Sequence, residues 1–324
     1  MARDVTEQLT KYLTDAHSIE EQALQQLRRA PDLAEEPKIA EAFREHLAET
    51  EEHERLVRGL LESRGASPNV LKDVVMRAGG VGFLLFARLQ PDTPGKLVAH
   101  AYSYEALELA SYELLARAAD RAGEPEVSGG ARQIAGEERQ MMRRLEDGFD
   151  RSTAASLELG YEADPKERLR KYLADAHAIE EQAIGLLERA PKLSEGALAQ
   201  VYDDHLGETR GHAELVADRL HALGGDTSTL KDAAMRLGAM NWAAFFRGHP
   251  DTSGKLAAFT FAFEHLEIGG YEQLKRVAIR AGDQETVTLA DRILAEERTA
   301  SARIAEHFDE AVTVALSAQG VTAG

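Results

Sequence analysis

Apolar residues recur three and four positions apart along eight long stretches of this chain, the spacing that lines one buried face of a helix. The pattern predicts amphipathic helices near 4–29, 36–64, 95–122 and 125–148, then again near 165–189, 195–223, 254–281 and 284–310. Turn signals separate them: RAPDL and RAPKL after the first helix of each set, SRGASP and LGGDTS after the second, RAGEP and RAGDQ after the third. Each third helix opens on Pro-Asp-Thr-x-Gly, at 91–95 and 250–254. The connection before it is long, about 30 residues, and carries the short helical pieces NVLKDVVMRAG and STLKDAAMRLG.

The second set of helices repeats the first. KYLTDAHSIEEQALQQLRRAP at 11–31 returns as KYLADAHAIEEQAIGLLERAP at 171–191, identical at 15 of 21 positions. HLAETEEH at 46–53 returns as HLGETRGH at 205–212, and YEALELASYELL at 104–115 as FEHLEIGGYEQL at 263–274. A period near 160 residues far exceeds a solenoid repeat, so each copy is a domain with its own core. The expected division is 1–149, a linker at 150–164, a second domain at 165–314, and a frayed tail at 315–324. One long crossover among short loops is the topology of a ferritin-like four-helix bundle. The expected fold is therefore all-α: two tandem bundles of that type.

The apolar stripes are interrupted by acids at mid-helix. On the second helix the stripe reads Ile39, Ala42, His46, Glu49, His53, Leu56, Leu60, and its copy Leu198, Val201, His205, Glu208, His212, Leu215. The first helix turns Glu20 (Glu180) inward. The third turns in Glu105, Glu108 and Tyr112 (Glu264, Glu267, Tyr271), and the fourth Glu138 (Glu297), with Glu137 (Glu296) one position aside. Midpoints of antiparallel helices share one level, so five carboxylates and two imidazoles converge in each copy. Buried ionised carboxylates repel one another and need compensation. A pair of metal ions supplies it, and carboxylate with imidazole suits iron or manganese. Tyr112 and Tyr271 read as core tyrosines, and His17 and His177 as helix-surface or outer-sphere residues.

Composition narrows the chemistry. There is no cysteine, which excludes thiolate zinc, iron–sulfur and disulfide chemistry. A formal charge of −18 without any Lys/Arg-rich run argues against nucleic acid as a partner. The longest apolar run, GVGFLLFA at 80–87, is too short to span a bilayer, and MARDVTEQLTKYL has no signal-peptide core. The expectation is a cytoplasmic protein without membrane contact.

The motifs D-A-H-x-I-E-E-Q, H-L-x-E-T-x-x-H, E-x-x-E-x-x-x-Y and E-E-R, each present in both copies, resemble the ferritin-like superfamily and within it the bacterial YciE/YciF-like stress-protein family. The resemblance implies a di-iron or di-manganese centre in each bundle. Its ligands would be Glu20, Glu49, His53, Glu105, Glu108 and Glu138 or Glu137, and in the second copy Glu180, Glu208, His212, Glu264, Glu267 and Glu297 or Glu296. The E-x-x-E resembles rubrerythrin. The chain departs from the superfamily's E-x-x-H, because its fourth helix has no histidine beside the acids: Gln140, Met141 and Thr299, Ala300 stand there.

The function these features suggest is oxidation of Fe(II) by peroxide or dioxygen, two metals per bundle. An external electron donor would complete a cycle, since no cysteine can donate. The alternative is a metal-stabilised or metal-free structural or interaction protein. Its docking surface would be the apolar crossover around Phe83–Phe86 or Trp242–Phe246, with the tandem copies forming an intrachain pseudo-dimer and a homo-oligomer left open.

Overall fold

Several of the long helices begin on a carboxylate that accepts a backbone N–H. Glu36 accepts from Ile39 N at 2.9 Å, Asp164 from Lys166 N at 3.0 Å, and Asp283 from Thr286 N at 2.9 Å. Proline follows the first two caps, with its φ already helical. Gly123 and Gly282, at φ 68° and 69°, end the third helix of each set in the left-handed conformation, which favours glycine.

A computed structural model describes residues 5–67, 93–159, 164–227 and 252–320. The helices of the first unit are α1 (Val5–Leu27), α2 (Ala30–Leu33), α3 (Pro37–Glu62), α4 (Thr93–Arg121) and α5 (Pro125–Leu159). Those that follow are α6 (Pro165–Leu187), α7 (Ala190–Leu193), α8 (Gly196–Ala222), α9 (Thr252–Ala281), α10 (Gln284–Glu306) and α11 (Phe308–Ala318). The chain divides into two units, residues 1–159 with 316–324, and residues 160–315. In the first, α1 packs on α3 and α4, and α5 closes the ring against the same two. In the second, α6, α8, α9 and α10 close the equivalent ring. The expected all-helical pair of bundles is what the chain forms. No helix among the described residues is long and apolar enough to cross a membrane.

Three details differ from the sequence reading. Residues 150–159, expected as linker, continue α5. The Ser152 and Thr153 hydroxyls donate back to the Phe149 carbonyl at 3.1 and 2.7 Å, and Ser156 Oγ accepts from Gly95 N at 2.7 Å, so small polar residues pack there without breaking the helix. The last predicted helix stops at Glu306, and Phe308–Ala318, expected in part as tail, forms α11. The third detail is rotational. The buried line on α3 is Ile39, Phe43, His46, Thr50, His53, Val57, Leu60, not the line through Ala42, Glu49 and Leu56. The crossover pieces at 69–79 and 228–238 and the apolar segments 83–86 and 242–246 lie outside the described residues.

Candidate metal centre

Four helices bring six titratable side chains to one level of the first bundle: Glu20 from α1, His46 and His53 from α3, Glu105 and Glu108 from α4, and Glu138 from α5. All six are buried. His46 and His53 sit two turns apart on the same face, their rings 6.4 Å apart. His46 Nε2 lies 2.9 Å from Glu105 Oε2 and 3.4 Å from Glu138 Oε2. His53 Nδ1 lies 3.0 Å from Glu138 Oε1 and 3.9 Å from Glu20 Oε2.

These atoms form two adjoining groups, each with its donor atoms within 4.8 Å of one another. One is His46, Glu105, Glu108 and Glu138; the other is Glu20, His53 and Glu138. Glu138 belongs to both and turns one oxygen toward each. The inward atoms are close but do not form aligned hydrogen bonds. Glu20 Oε2, His46 Nε2, His53 Nδ1, Glu105 Oε2 and both oxygens of Glu108 and Glu138 are all without one. Buried polar atoms in that condition carry their full desolvation cost. Eight of them aimed at one small volume fit a metal-binding group, since lone pairs converge on a cation but not on each other.

Protonation of the bare ring reflects the same crowding. Burial pushes the Glu20 carboxyl up to about 8, against the pull of His53. Burial, then Glu138, Glu20 and Glu105, hold Glu108 well above the usual carboxylate range. Burial alone would lower both histidines. The neighbouring carboxylates overcome it, holding His46 well above its ordinary value and His53 at about 9. Glu138 is raised to about 7 by burial, moderated by His46 and His53. In the second bundle Glu264 is raised to about 7 by burial, while Glu297 is held near 2, where its histidine partners outweigh burial. In both bundles a proton is shared among the carboxyls and histidines of the ring. It belongs to the set of carboxyls rather than to one residue.

An outer layer fixes the imidazoles. Glu49 is half-buried, faces away from the ring, and accepts from His46 Nδ1 at 3.0 Å. Arg144 grips Glu49 through two bonds of 3.0 and 2.8 Å. The His46 bond, aided by Arg144 and opposed by burial, holds the Glu49 carboxyl near 2. An ionised Glu49 has no proton to give, so Nδ1 of His46 carries one and Nε2 is the inward donor atom. Glu137 does the same for His53, 2.5 Å from Nε2, leaving Nδ1 inward. The Tyr112 hydroxyl donates to Glu20 Oε1.

The second bundle repeats the arrangement. His205 Nε2 is 2.7 Å from Glu264 and 3.4 Å from Glu297, and His212 Nδ1 is 2.8 Å from Glu297 and 3.8 Å from Glu180. The groups are His205, Glu264, Glu267, Glu297 and Glu180, His212, Glu297. Glu208 and Glu296 take the outer positions at 3.0 and 2.6 Å, and Tyr271 donates to Glu180. The difference lies in the outer layer: Arg303 stands 3.8 Å from Glu208, where Arg144 makes a two-bond grip.

The structure therefore brings Glu20, His53, Glu105, Glu108 and Glu138 together, with Glu180, His212, Glu264, Glu267 and Glu297 likewise. It places Glu49 and Glu208 outside the ring and His46 and His205 inside it. Glu138 and Glu297, not Glu137 and Glu296, point inward. His17 is buried rather than at the surface, and its Nε2 lies 2.9 Å from Glu54 Oε1. With Glu21 it forms a further His/Glu group beside the ring. His177 is buried too, but the position matching Glu54 is Ala213, so the second bundle lacks that pairing.

No solved structure matches the chain. The family model described as "Domain of unknown function (DUF892)" matches it twice, over residues 4–158 and 164–317, which are the two bundles with their rings. The chain belongs to this family, which is of ferritin-like type, and carries its domain in tandem duplicate.

Proposed function

We propose that each bundle binds a pair of divalent first-row cations, iron or manganese, and that the iron-loaded protein is an oxidoreductase consuming peroxide or dioxygen. The observation that carries this reading is the shared carboxyl of Glu138 (Glu297), which stands between two donor groups with one oxygen toward each. His46, Glu105 and Glu108 would complete one position, and Glu20 and His53 the other. Four inner carboxylates balance the charge of two divalent cations once both imidazoles are neutral. Oxygen with imidazole donors suits iron or manganese, and the resemblance to the YciE/YciF-like and rubrerythrin families supports the same choice.

A bound iron pair supplies two electrons, enough with two protons to reduce one peroxide to two waters. The chain supplies the setting. Glu49 and Glu137 hold the imidazoles in their tautomers, Tyr112 holds one oxygen of Glu20, and the buried ring excludes bulk water. No cysteine is present, so electrons for a repeated cycle come from an external donor. A second reading, a stabilising metal pair without turnover, is favoured by Met141 and Ala300, both buried, beside the acids of the fourth helix, where E-x-x-H proteins carry histidine.

Metal content of the desalted full chain, expressed with added iron and read by elemental mass spectrometry, tests the proposal. About four irons per chain, two per bundle, is expected. Essentially none, in folded protein, overturns it. Rapid peroxide-dependent oxidation of the bound Fe(II) separates turnover from the stabilising role.

A further inference from the structure

The two rings match, but the side chains leading to them do not. In the first bundle a cavity of about 20 Å³ reaches Glu105 along a wall that includes Leu27, Phe43, Leu97 and Ala101. A space of that size holds one small molecule. Gln26 and Ala101, part of the lining, are half-buried, while Glu105 is buried, so the cavity lies between partly exposed residues and a member of the ring. Among the described residues the wall is mostly hydrocarbon apart from the Gln26 amide, and its one hydroxyl, on Tyr104, is committed to the Ile19 carbonyl at 3.0 Å.

The second bundle carries larger or more tightly held groups at the corresponding places. Tyr202 stands for Phe43, Thr260 for Ala101 and Leu186 for Gln26, and all three are buried. The Thr260 hydroxyl donates to the Leu256 carbonyl at 2.9 Å, so the Tyr202 hydroxyl donates to Thr260 Oγ1 at 3.1 Å. That bond ties α8 to α9 at the two positions that match Phe43 and Ala101 of the cavity wall.

We propose that the cavity is the path by which dioxygen, a small apolar oxidant, reaches the centre of the first bundle, and that the Tyr202–Thr260 bond closes the same path in the second. An apolar wall favours dioxygen over peroxide, which would give up its hydrogen bonds to water on entering. The two centres are then chemically alike and differ in access. The proposal rests on the metal-binding reading for its function but not for its geometry.

Xenon, which occupies dry apolar cavities, tests it on metal-free full-length protein in pressurised crystals. Xenon is expected beside Ala101 in the first bundle and not beside Thr260 in the second. A101T should abolish the first site, and the double variant Y202F/T260A should create one in the second bundle. No xenon in the first bundle, or equal occupancy of both bundles in the unaltered protein, overturns the proposal whatever the metal content proves to be. In Fe(II)-loaded protein, dioxygen should oxidise the iron in two phases of equal amplitude, and A101T should lose the fast one. A single phase in the unaltered protein overturns the proposal, while failure to load iron at all counts only against the metal reading.

Discussion

Replacing Glu20 and Glu180 by glutamine should stabilise the metal-free protein and weaken the metal-loaded one. Burial raises both carboxyls from 4.5 to about 8, so at pH 7 the folded bundle keeps a proton that the unfolded chain gives up. The gap between 4.5 and pH 7 corresponds to about 3 kcal/mol per bundle that the wild type loses and a neutral amide does not. The amide oxygen still accepts from Tyr112 or Tyr271. His53 loses its 3.9 Å neighbour but keeps Glu138 at 3.0 Å and Glu137 at 2.5 Å, which limits the offset. For bundles of this size the gain corresponds to a Tm increase of roughly 6–12 °C. Below pH 4.5 the carboxyl is protonated in both states and the substitution changes nothing. The advantage grows as pH climbs from 4.5 to about 8, because the wild-type protein loses stability across that window. Thermal melts of E20Q/E180Q with chelator at pH 4, 7 and 8 read this directly, and added Mn(II) should reverse the order by removing one anionic donor per bundle. A metal-free variant that melts below wild type at pH 7, or a difference that does not depend on pH, refutes the reasoning.

Three further outcomes follow from the geometry. Metal loading at pH 7 should release protons, since His53 near 9, Glu20 near 8 and the raised Glu108 all give theirs up. An indicator dye should see the release, and Mn(II) affinity should fall steeply from pH 8 to 6; pH-independent binding would count against the ring as the site. E49Q removes the anion that fixes the His46 tautomer while leaving the ring intact, and should lower metal affinity of the first bundle roughly 10–100-fold by calorimetric titration; unchanged affinity would mean that Glu49 does not orient His46. His265, which stands where the first bundle has Ala106, is held by burial at about 4, while its Nδ1–H donates to the Phe261 carbonyl at 2.7 Å. The unfolded chain takes up a proton below pH 6.5 and the folded chain does not, so stability falls from pH 6.5 to 4 by about 3 kcal/mol; H265Q should flatten that slope in acid melts, and an unchanged slope refutes the assignment.

Much of the ring is legible in the sequence, because buried acids inside an apolar stripe are conspicuous and both copies carry them. The errors on α3 come from helix geometry. Positions 39, 46, 53 and 60 repeat every seven residues, and the residues between them can be 42, 49, 56 or 43, 50, 57, which flank the stripe on opposite sides. Reading the acid at 49 as inward puts Ala42 and Leu56 in the core. The structure instead buries Phe43, Thr50 and Val57, matched by Tyr202, Thr209 and Val216. Their bulk was the available signal, since Phe43 and Tyr202 fill space that Ala42 cannot. Rotating the face by one residue turns Glu49 outward to Arg144 and leaves His46 and His53 inside. The Glu49–Arg144 pairing spans 95 residues of sequence and has no local signature. Residues 150–159 misled for a different reason, since Ser and Thr read as linker until their hydroxyls are seen bonded within and between helices.

If each ring holds the proposed pair of cations, one side chain standing between them would make their occupancies interdependent. The first ion to arrive would fix the rotamer of Glu138, and the second would then meet a donor already in place. The ordering loss it avoids is about 1 kcal/mol, a several-fold gain in affinity. Donor ordering of this kind would favour the second ion over a half-loaded bundle, against the mutual repulsion of the two cations. Glu297 would act in the same way in its own bundle. Under the proposed function, such ordering at limiting metal would favour the complete pair, the form able to give up two electrons at once.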